Sequence, residues 1–146
     1  MENIRKALLT DLGSIAEYYG PKGDTPLHPF TSAERMKQMI SLNDLVVAEV
    51  DGSFAGFVYF FVNSHPWFEP EVESYGHILE VHVKEEYQGL GIATRILEYA
   101  MEDLKKQNVN VIYIDTGGDD AKAIRLYEKM GFREFGRTIH FKKIIG

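Results

Sequence analysis

The sequence lacks cysteine, a surplus of basic residues and any long apolar run. None of its 146 residues is Cys, which excludes disulfide bonds, thiolate metal sites and a cysteine nucleophile. A group transfer on this chain would therefore avoid a covalent thioester on the enzyme. The longest apolar run, FAGFVYFFV at residues 54–62, is far shorter than the roughly 20 residues that span a bilayer.

The charge balance of the chain is acidic, with a formal net charge of −6. Nucleic acids bind basic surfaces, so this balance argues against them as partners. The first residues, MENIRKALLTDLG, mix charges with apolar side chains and lack the continuous apolar core of a signal peptide. We therefore expect a cytoplasmic protein that binds neither nucleic acid nor a membrane. An acidic surface suits a cationic ligand, although it is also common among cytosolic proteins.

Length and periodicity predict one α/β domain over residues 1–146. Domains usually contain ~100–200 residues, and a composition of 45% apolar and 26% charged residues is ordinary for a globular protein. The dipeptide Asp51-Gly52 supplies the positive φ angles of a tight hairpin. Apolar patterns predict strands at 3–7, 45–50, 54–63, 75–83 and 109–114, with a last hairpin over 132–145. Helical spacing predicts helices between Thr10 and Gly20, after Thr31, over 93–104 and over 123–130. The prolines of residues 21–30 predict a loop there.

The segment VHVKEEYQGLGIATRILEYAM, residues 81–101, changes from a strand pattern to a helix pattern across two glycines. The first N–H groups of a helix lack partners, and with the helix dipole they form a site for anions. Glycine allows a diphosphate to approach this backbone closely. The dinucleotide fingerprint would require a third glycine where Thr94 stands. By itself, a Gly-x-Gly is more typical of a plain turn.

Two motifs in this order resemble those of the GNAT acyltransferase superfamily. The first is the Arg/Gln-x-x-Gly-x-Gly/Ala pattern, which Gln88, Gly91 and Ala93 fill. The second lies downstream and is filled by Ala123, Leu126, Tyr127, Lys129, Gly131 and Phe132. The resemblance implies a mixed, mainly antiparallel sheet of six to seven strands, flanked by about four helices and splayed between strands 4 and 5. It also implies an acetyl-CoA-dependent N-acetyltransferase that transfers the acetyl group directly in a ternary complex.

The same resemblance indicates how the chain would hold acetyl-CoA. The backbone of Val81 and Val83 is expected to hydrogen-bond the pantetheine arm. The pyrophosphate is expected on the backbone amides of seven consecutive residues: Gln88, Gly89, Leu90, Gly91, Ile92, Ala93 and Thr94. Family members usually have Asn seven residues before the motif tyrosine, whereas this chain has Asp120. Asp120 can still cap the helix, but it brings a negative charge near CoA.

Acyl transfer to an amine requires a base, a group that stabilises the oxyanion and an acid for the leaving thiolate. The resemblance makes Tyr127 the acid, whereas spacing alone would favour a tyrosine that packs on the sheet. A phenol suits this role because its pKa of about 10 keeps it protonated at neutral pH. A backbone N–H near Val83 would polarise the carbonyl. Glu80 and His82 alternate onto one face of the strand, and either is a candidate base or simply an exposed strand residue. Glu73 and Tyr75 at the loop edge are further candidates for the base.

The acceptor is predicted to be a primary amine on a small cationic molecule or at a peptide N-terminus. Glu69, Glu71, Glu73 and Glu80 would attract such a cation, and Trp67 lies in the same loop as the first three. The histidines show no metal-ligand spacing, so no metal is expected. Two alternatives stay open: a catalytically silent acyl-CoA-binding regulatory domain and a nucleotide-binding module. The identity of the acceptor is also open, as is the oligomeric state, for which a homodimer is one option.

Overall fold

The computed structural model describes residues 1–19 and 33–146. The predicted loop over 21–30 and the predicted helix cap at Thr31 lie outside the described residues. The chain divides into two compact units, Met1–Ile114 and Asp115–Gly146. A single domain over 1–146 stays a prediction.

The first unit contains one mixed sheet whose strands follow one another in chain order. The first four strands are antiparallel to their neighbours, and the fifth is parallel to the fourth. The strands are β1 (Glu2–Lys6), β2 (Leu45–Val50), β3 (Ser53–Asn63), β4 (Tyr75–Val83) and β5 (Ile112–Ile114). The helices of the described chain are α1 (Leu12–Tyr19), α2 (Ala33–Ser41), α3 (Ile92–Lys106) and, in the second unit, α4 (Ala121–Lys129). The predicted mixed α/β class is confirmed.

The predicted hairpin joins β2 to β3. Asp51 and Gly52 have φ angles of 50° and 82°, which gives the turn the twist that its flanking strands require. Asp51 also pairs with the N-terminal ammonium group of Met1. The hairpin therefore ties the start of the chain to the centre of the sheet.

Helices cover the two faces of this sheet, because alternate strand residues point to opposite sides. On one face, Ile15 of α1 and Met39 of α2 belong to a buried cluster with Val47 and Phe57. The other helix, α3, packs against β2, β3 and β4. Five side chains of α3 are buried at helical spacing: Ile92, Ile96, Leu97, Ala100 and Leu104. Burial of an amphipathic stripe of this kind is the main stabilisation of a surface helix.

Strands β4 and β5 pair over a short stretch. Among the described residues, their pairing runs only from Gly76 to Ile78 on β4, whereas β4 continues to Val83. The register of β4 on β3 shifts after Ile78, so Leu79 lies at a bulge. A bulge bends the strand and increases its local twist. All three residues of β5 are paired with β4, so the splay between strands 4 and 5 stays a prediction.

The fifth strand is shorter than the predicted run of 109–114. Asn108 has a φ of 65°, and the N–H of Val109 donates to the carbonyl of Leu104. Residues 108 and 109 therefore form the C-terminal end of α3, and the chain enters the sheet only after them. Only the last three residues of the predicted run pair with β4.

The second unit contains α4 and the C-terminal segment. Asp120 caps α4 by accepting a hydrogen bond from Ala123 N at 3.1 Å. The prediction of a last hairpin over 132–145 is wrong, because this part of the described chain contains no strand. Ile139 and Phe141 are exposed instead of packed, and β-propensity depends on such packing. The described residues thus form five strands, not the predicted six to seven.

Candidate active site

The turn between β4 and α3 depends on two glycines with left-handed backbone angles. Gly89 has a φ of 81° and Gly91 a φ of 79°, a conformation that side chains with a Cβ adopt only with strain. At Gly89 an added Cβ would meet open space, but at Gly91 it would lie 2.8 Å from Nη1 of Arg95. Gly91 is also the N-cap residue of α3. The glycines therefore shape a close turn at the start of the helix.

This turn presents backbone donors. The first hydrogen bond of α3 runs from Arg95 N to Gly91 O at 3.2 Å. The N–H groups of Ile92, Ala93 and Thr94 precede it, and the start of a helix offers them no partner within the helix. Unpaired donors combined with the positive end of the helix dipole favour a bound anion. These three N–H groups suit a bound anion, whereas Gln88 N already donates to Glu85 O at 3.2 Å; the pyrophosphate site over residues 88–94 stays a prediction.

Arg95 supports the turn, and sequence reasoning did not identify it. Its Nη2 donates to the carbonyl of Leu90 at 2.7 Å, and its Nε donates to the carboxylate of Glu2 at 2.6 Å. The guanidinium thus links the turn to β1. An arginine four residues after the second glycine could have pointed to this contact, because residues four apart lie on the same side of a helix.

The backbone of β4 has one paired edge and one edge that faces away from β3. Lys84 N donates to Ala55 O of β3 at 2.8 Å. Because successive residues of an antiparallel strand alternate their backbone groups between the two edges, those of Val81 and Val83 face the opposite edge. β5 is not paired there. The Val83 carbonyl accepts a hydrogen bond from Nε2 of Gln88 at 3.0 Å, so Gln88 joins the end of the strand to the turn.

Glu80 and His82 lie together on the face of β4 that α1 covers. Tyr18 of α1 stacks on His82 with a centroid distance of 3.8 Å. Its hydroxyl donates to Oε1 of Glu80 at 3.4 Å. The ring of Tyr18 also meets Phe57 of β3 edge to face, with centroids 5.6 Å apart. Both candidate bases therefore belong to one side-chain cluster.

The electrostatics of this cluster favour a neutral imidazole. Burial lowers the pKa of His82 below its ordinary value, and the nearby charge of Lys84 lowers it further. Burial raises the pKa of Tyr18, with a contribution from Glu80. At neutral pH the cluster holds a histidine that can accept a proton and a phenol that keeps its own.

A hydrogen bond from β5 to a carboxylate holds the loop between β3 and β4 against β5. Tyr113 of β5 donates its hydroxyl to Oε1 of Glu69 at 2.7 Å, and its ring meets that of Phe68 edge to face. Burial and the Glu69 hydrogen bond raise the pKa of Tyr113 to about 12. Trp67 of the same loop is 88% exposed. Glu71 and Glu73 instead line a surface cavity of about 370 Å³, together with Asn108 and Asn110.

Tyr127 and Asp120 belong to the second unit. Tyr127 lies on α4, where its ring meets Phe132 edge to face at a centroid distance of 6.1 Å. Its carbonyl accepts a hydrogen bond from Phe132 N at 3.0 Å. The end of the helix thus holds the tyrosine and the motif phenylalanine together. The roles of Tyr127 as acid and of Asp120 near CoA stay predictions.

Among residues 1–19 and 33–146, no three His, Asp or Glu side chains are grouped closely enough to hold a metal ion. None of the helices that the structure describes is both long and apolar enough to cross a membrane.

Known N-acetyltransferases resemble this chain in sequence and in structure. Residues 14–132 match the model of the acetyltransferase (GNAT) family. An N-alpha-acetyltransferase of Sulfurisphaera tokodaii is 29% identical over 94% of this chain and 84% of its own length. An uncharacterised N-acetyltransferase of Methanocaldococcus jannaschii is 31% identical over 90% of this chain and 78% of its own length. The solved structure of an aminoglycoside N-acetyltransferase in complex with CoA covers 98% of this chain and 95% of its own, with a TM-score of 0.79 and 18% identity.

Proposed function

The chain belongs to the acetyltransferase (GNAT) family and is an acetyl-CoA-dependent N-acyltransferase, and we propose that its acceptor is a primary amine on a small cationic molecule or at a peptide N-terminus. The transfer is direct, within a ternary complex of enzyme, acetyl-CoA and amine. The absence of cysteine supports this, since no thiol can carry the acetyl group between the two substrates. The proposal extends over both units, as does the family match.

The turn after β4 is the proposed site for the CoA diphosphate, and it is the observation that carries the proposal. It combines the unpaired N–H groups of Ile92, Ala93 and Thr94 with a left-handed Gly91 that keeps the approach open. The backbone edge of β4 that faces away from β3, at Val81 and Val83, is the proposed contact for the pantetheine amides. These groups fit an acidic ligand with an amide-containing arm.

The proposed chemistry assigns a role to each of three protein groups. Glu80 or His82 accepts the proton of the attacking amine, directly or through water. The backbone N–H of Val83 polarises the thioester carbonyl. Tyr127 donates its proton to the departing thiolate.

The acceptor is proposed to be cationic because carboxylates border the face of β4. Glu80 lies on that face next to Tyr18, and Glu69 is attached to Tyr113 of the neighbouring strand. Carboxylates near a site raise the local concentration of cations and their association rate. The relative in Sulfurisphaera tokodaii is named an N-alpha-acetyltransferase, which supports a peptide N-terminus as one form of this amine.

A thermal-shift experiment followed by a turnover assay tests the proposal. We expect acetyl-CoA to raise the Tm, whereas NAD and ATP leave it unchanged. Release of the CoA thiol should then be measured with a panel of cationic, neutral and acidic amines. Stabilisation by NAD or ATP alone would instead indicate a nucleotide-binding module. Binding of acetyl-CoA without turnover of any amine would indicate a silent regulatory domain.

Salt dependence tests the charge of the acceptor. Exposed charges are screened over roughly 8 Å at physiological salt, so kcat/KM for a cationic amine should fall as salt rises. A neutral amine of the same length should show a smaller slope. Equal slopes for the two amines, or a preference for an acidic acceptor, would contradict a cationic acceptor.

A further inference from the structure

Tyr18 touches both candidate bases, although it is 62 residues away from Glu80 in the sequence. Its ring lies over His82, inclined by 29° at a centroid distance of 3.8 Å. Its hydroxyl reaches Oε1 of Glu80 at 3.4 Å. Catalytic hydrogen bonds are often long without substrate and tighten when the substrate binds. One side chain therefore contacts the two groups that compete for the role of base.

Packing of α1 does not explain this arrangement. Ile15 is fully buried and anchors α1 in the core cluster, whereas Tyr18 is 39% exposed. A phenylalanine would fill the same place against Phe57 without a polar atom near a carboxylate. The contact of the hydroxyl with Glu80 is therefore separable from the packing of the helix.

We propose that Tyr18 is a positioning residue for amine deprotonation, with its ring fixing the imidazole of His82 and its hydroxyl fixing the carboxylate of Glu80. This rests on the proposed function of the β4 face as the acceptor site. The amine proton moves to Glu80 or His82, the new C–N bond forms as the C–S bond breaks, and the thiolate takes the proton of Tyr127. Tyr18 neither gains nor loses a proton in this sequence.

The charges around the cluster agree with this role. Burial and the neighbouring Glu80 raise the pKa of Tyr18, so it stays a donor at neutral pH. The ring of Tyr18 contributes to the burial that lowers the pKa of His82. Within the described part of the chain, Lys84 directly after β4 is the charged group that acts on His82, while α1 contributes the phenol of Tyr18 and β3 the apolar ring of Phe57. Removal of the Tyr18 ring should therefore change the titration of His82.

Two variants separate the ring from the hydroxyl. Tyr18→Phe keeps the stacked ring and removes the donor, whereas Tyr18→Ala removes both. Tyr99→Phe is the control, because Tyr99 lies on α3 and its ring faces Lys6. The titration of His82 is measured by NMR of the imidazole, and kcat and KM are measured with acetyl-CoA and a cationic amine across pH.

The expected results differ between the variants. Tyr18→Ala should raise the pKa of His82 toward 6.5 and move the acid limb of kcat/KM with it, whereas Tyr18→Phe should leave the pKa unchanged. Tyr18→Phe should lower kcat about tenfold, as expected for the loss of a hydrogen bond to a charged group, with the KM for acetyl-CoA unchanged. The control should match the wild type.

Unchanged His82 titration in Tyr18→Ala would overturn the proposal, as would variants that change only the Tm. The NMR titration needs no turnover, so it tests the contact of the Tyr18 ring with His82 even if no amine is acetylated, while the kcat of Tyr18→Phe tests the positioning role. A wild-type protein that acetylates no amine would refute the proposed function separately.

Discussion

Two regions near the end of β4, the turn over residues 88–94 and the face of β4 under α1, offer a ligand different chemical groups. The turn over residues 88–94 carries no charged side chain and offers backbone N–H groups at the start of α3. The face of β4 under α1 offers side chains instead, with His82 and Glu80 both in contact with Tyr18. The turn depends on φ angles, while the face depends on side-chain identity and on how a distant helix packs.

This difference predicts that the two regions can be damaged independently. A substitution that closes the turn should weaken CoA binding and leave the titration of the β4 face unchanged. A substitution on the face should alter proton transfer and leave CoA affinity unchanged. Variants with effects in both assays would show that the regions are coupled.

The largest effect is expected from Tyr127, which belongs to neither region. Tyr127→Phe keeps the ring and removes the proton donor, so we expect kcat to fall ~100-fold or more, with an unchanged Kd for acetyl-CoA. Single-turnover rates at saturating acetyl-CoA measure this, with Tyr99→Phe as the control. A chemistry-limited rate close to that of the wild type would show that another group protonates the thiolate.

The turn is tested by Gly91→Val. A branched side chain is strained at a φ of 79° and would displace the Arg95 guanidinium, so the Kd for CoA should rise by at least about tenfold as the N–H groups of the turn move out of place. Gly52→Val is a matched control, because Gly52 has a φ of 82° and open space at its Cβ position. It should show similar strain but normal CoA affinity in isothermal titration. Normal CoA affinity in Gly91→Val would mean that the site is elsewhere.

The pH profile separates the two candidate bases on the β4 face. A base must be unprotonated, so kcat/KM should rise with pH through its pKa. Because burial lowers the pKa of His82 below 6.5, the acid limb should lie below pH 6.5. His82→Gln should abolish this limb, whereas Glu80→Gln should keep it. A limb that disappears in Glu80→Gln instead would assign the base to Glu80.

The smallest effect is expected at Asp44, at the start of β2 and outside both regions. Burial raises its pKa to about 6, and Asp103 adds to the rise. The ionised form is therefore unfavourable in the fold above pH 6, and this penalty is relieved as pH falls toward the ordinary value of 3.8. Asp44→Asn should raise the free energy of unfolding at pH 8 by about 1 kcal/mol, since solvent screens this half-exposed group.

Denaturant unfolding at pH 8 and pH 4.5 checks this prediction. The gain should be present at the higher pH and small at the lower one. The pH profile of kcat/KM should be unchanged, which would separate stability effects from catalytic ones. A gain of equal size at both values would contradict the assigned cause.

The sequence predicts the turn better than the face for a physical reason. Gly89 and Gly91 occupy left-handed positions that glycine adopts without strain, so the need for them is visible in the residue type. The contact of Tyr18 with Glu80 depends on how α1 packs across β3 and β4, and no local pattern encodes it. The hairpin over 132–145 was mispredicted for a related reason, since β-propensity has meaning only where a sheet accepts the strand.

Single-turnover transfer from acetyl-CoA labelled with carbon-13 in its acetyl group tests direct acetylation of a cationic amine most directly. The enzyme, in excess over the acetyl-CoA, is mixed with the label and a peptide with a free N-terminus or a cationic amine, and the masses of acceptor and protein are measured over time. We predict that the label appears on the acceptor amine as the CoA thiol is released, with none bound to the protein. An acceptor that stays unlabelled, or label that first accumulates on the protein, would contradict direct transfer.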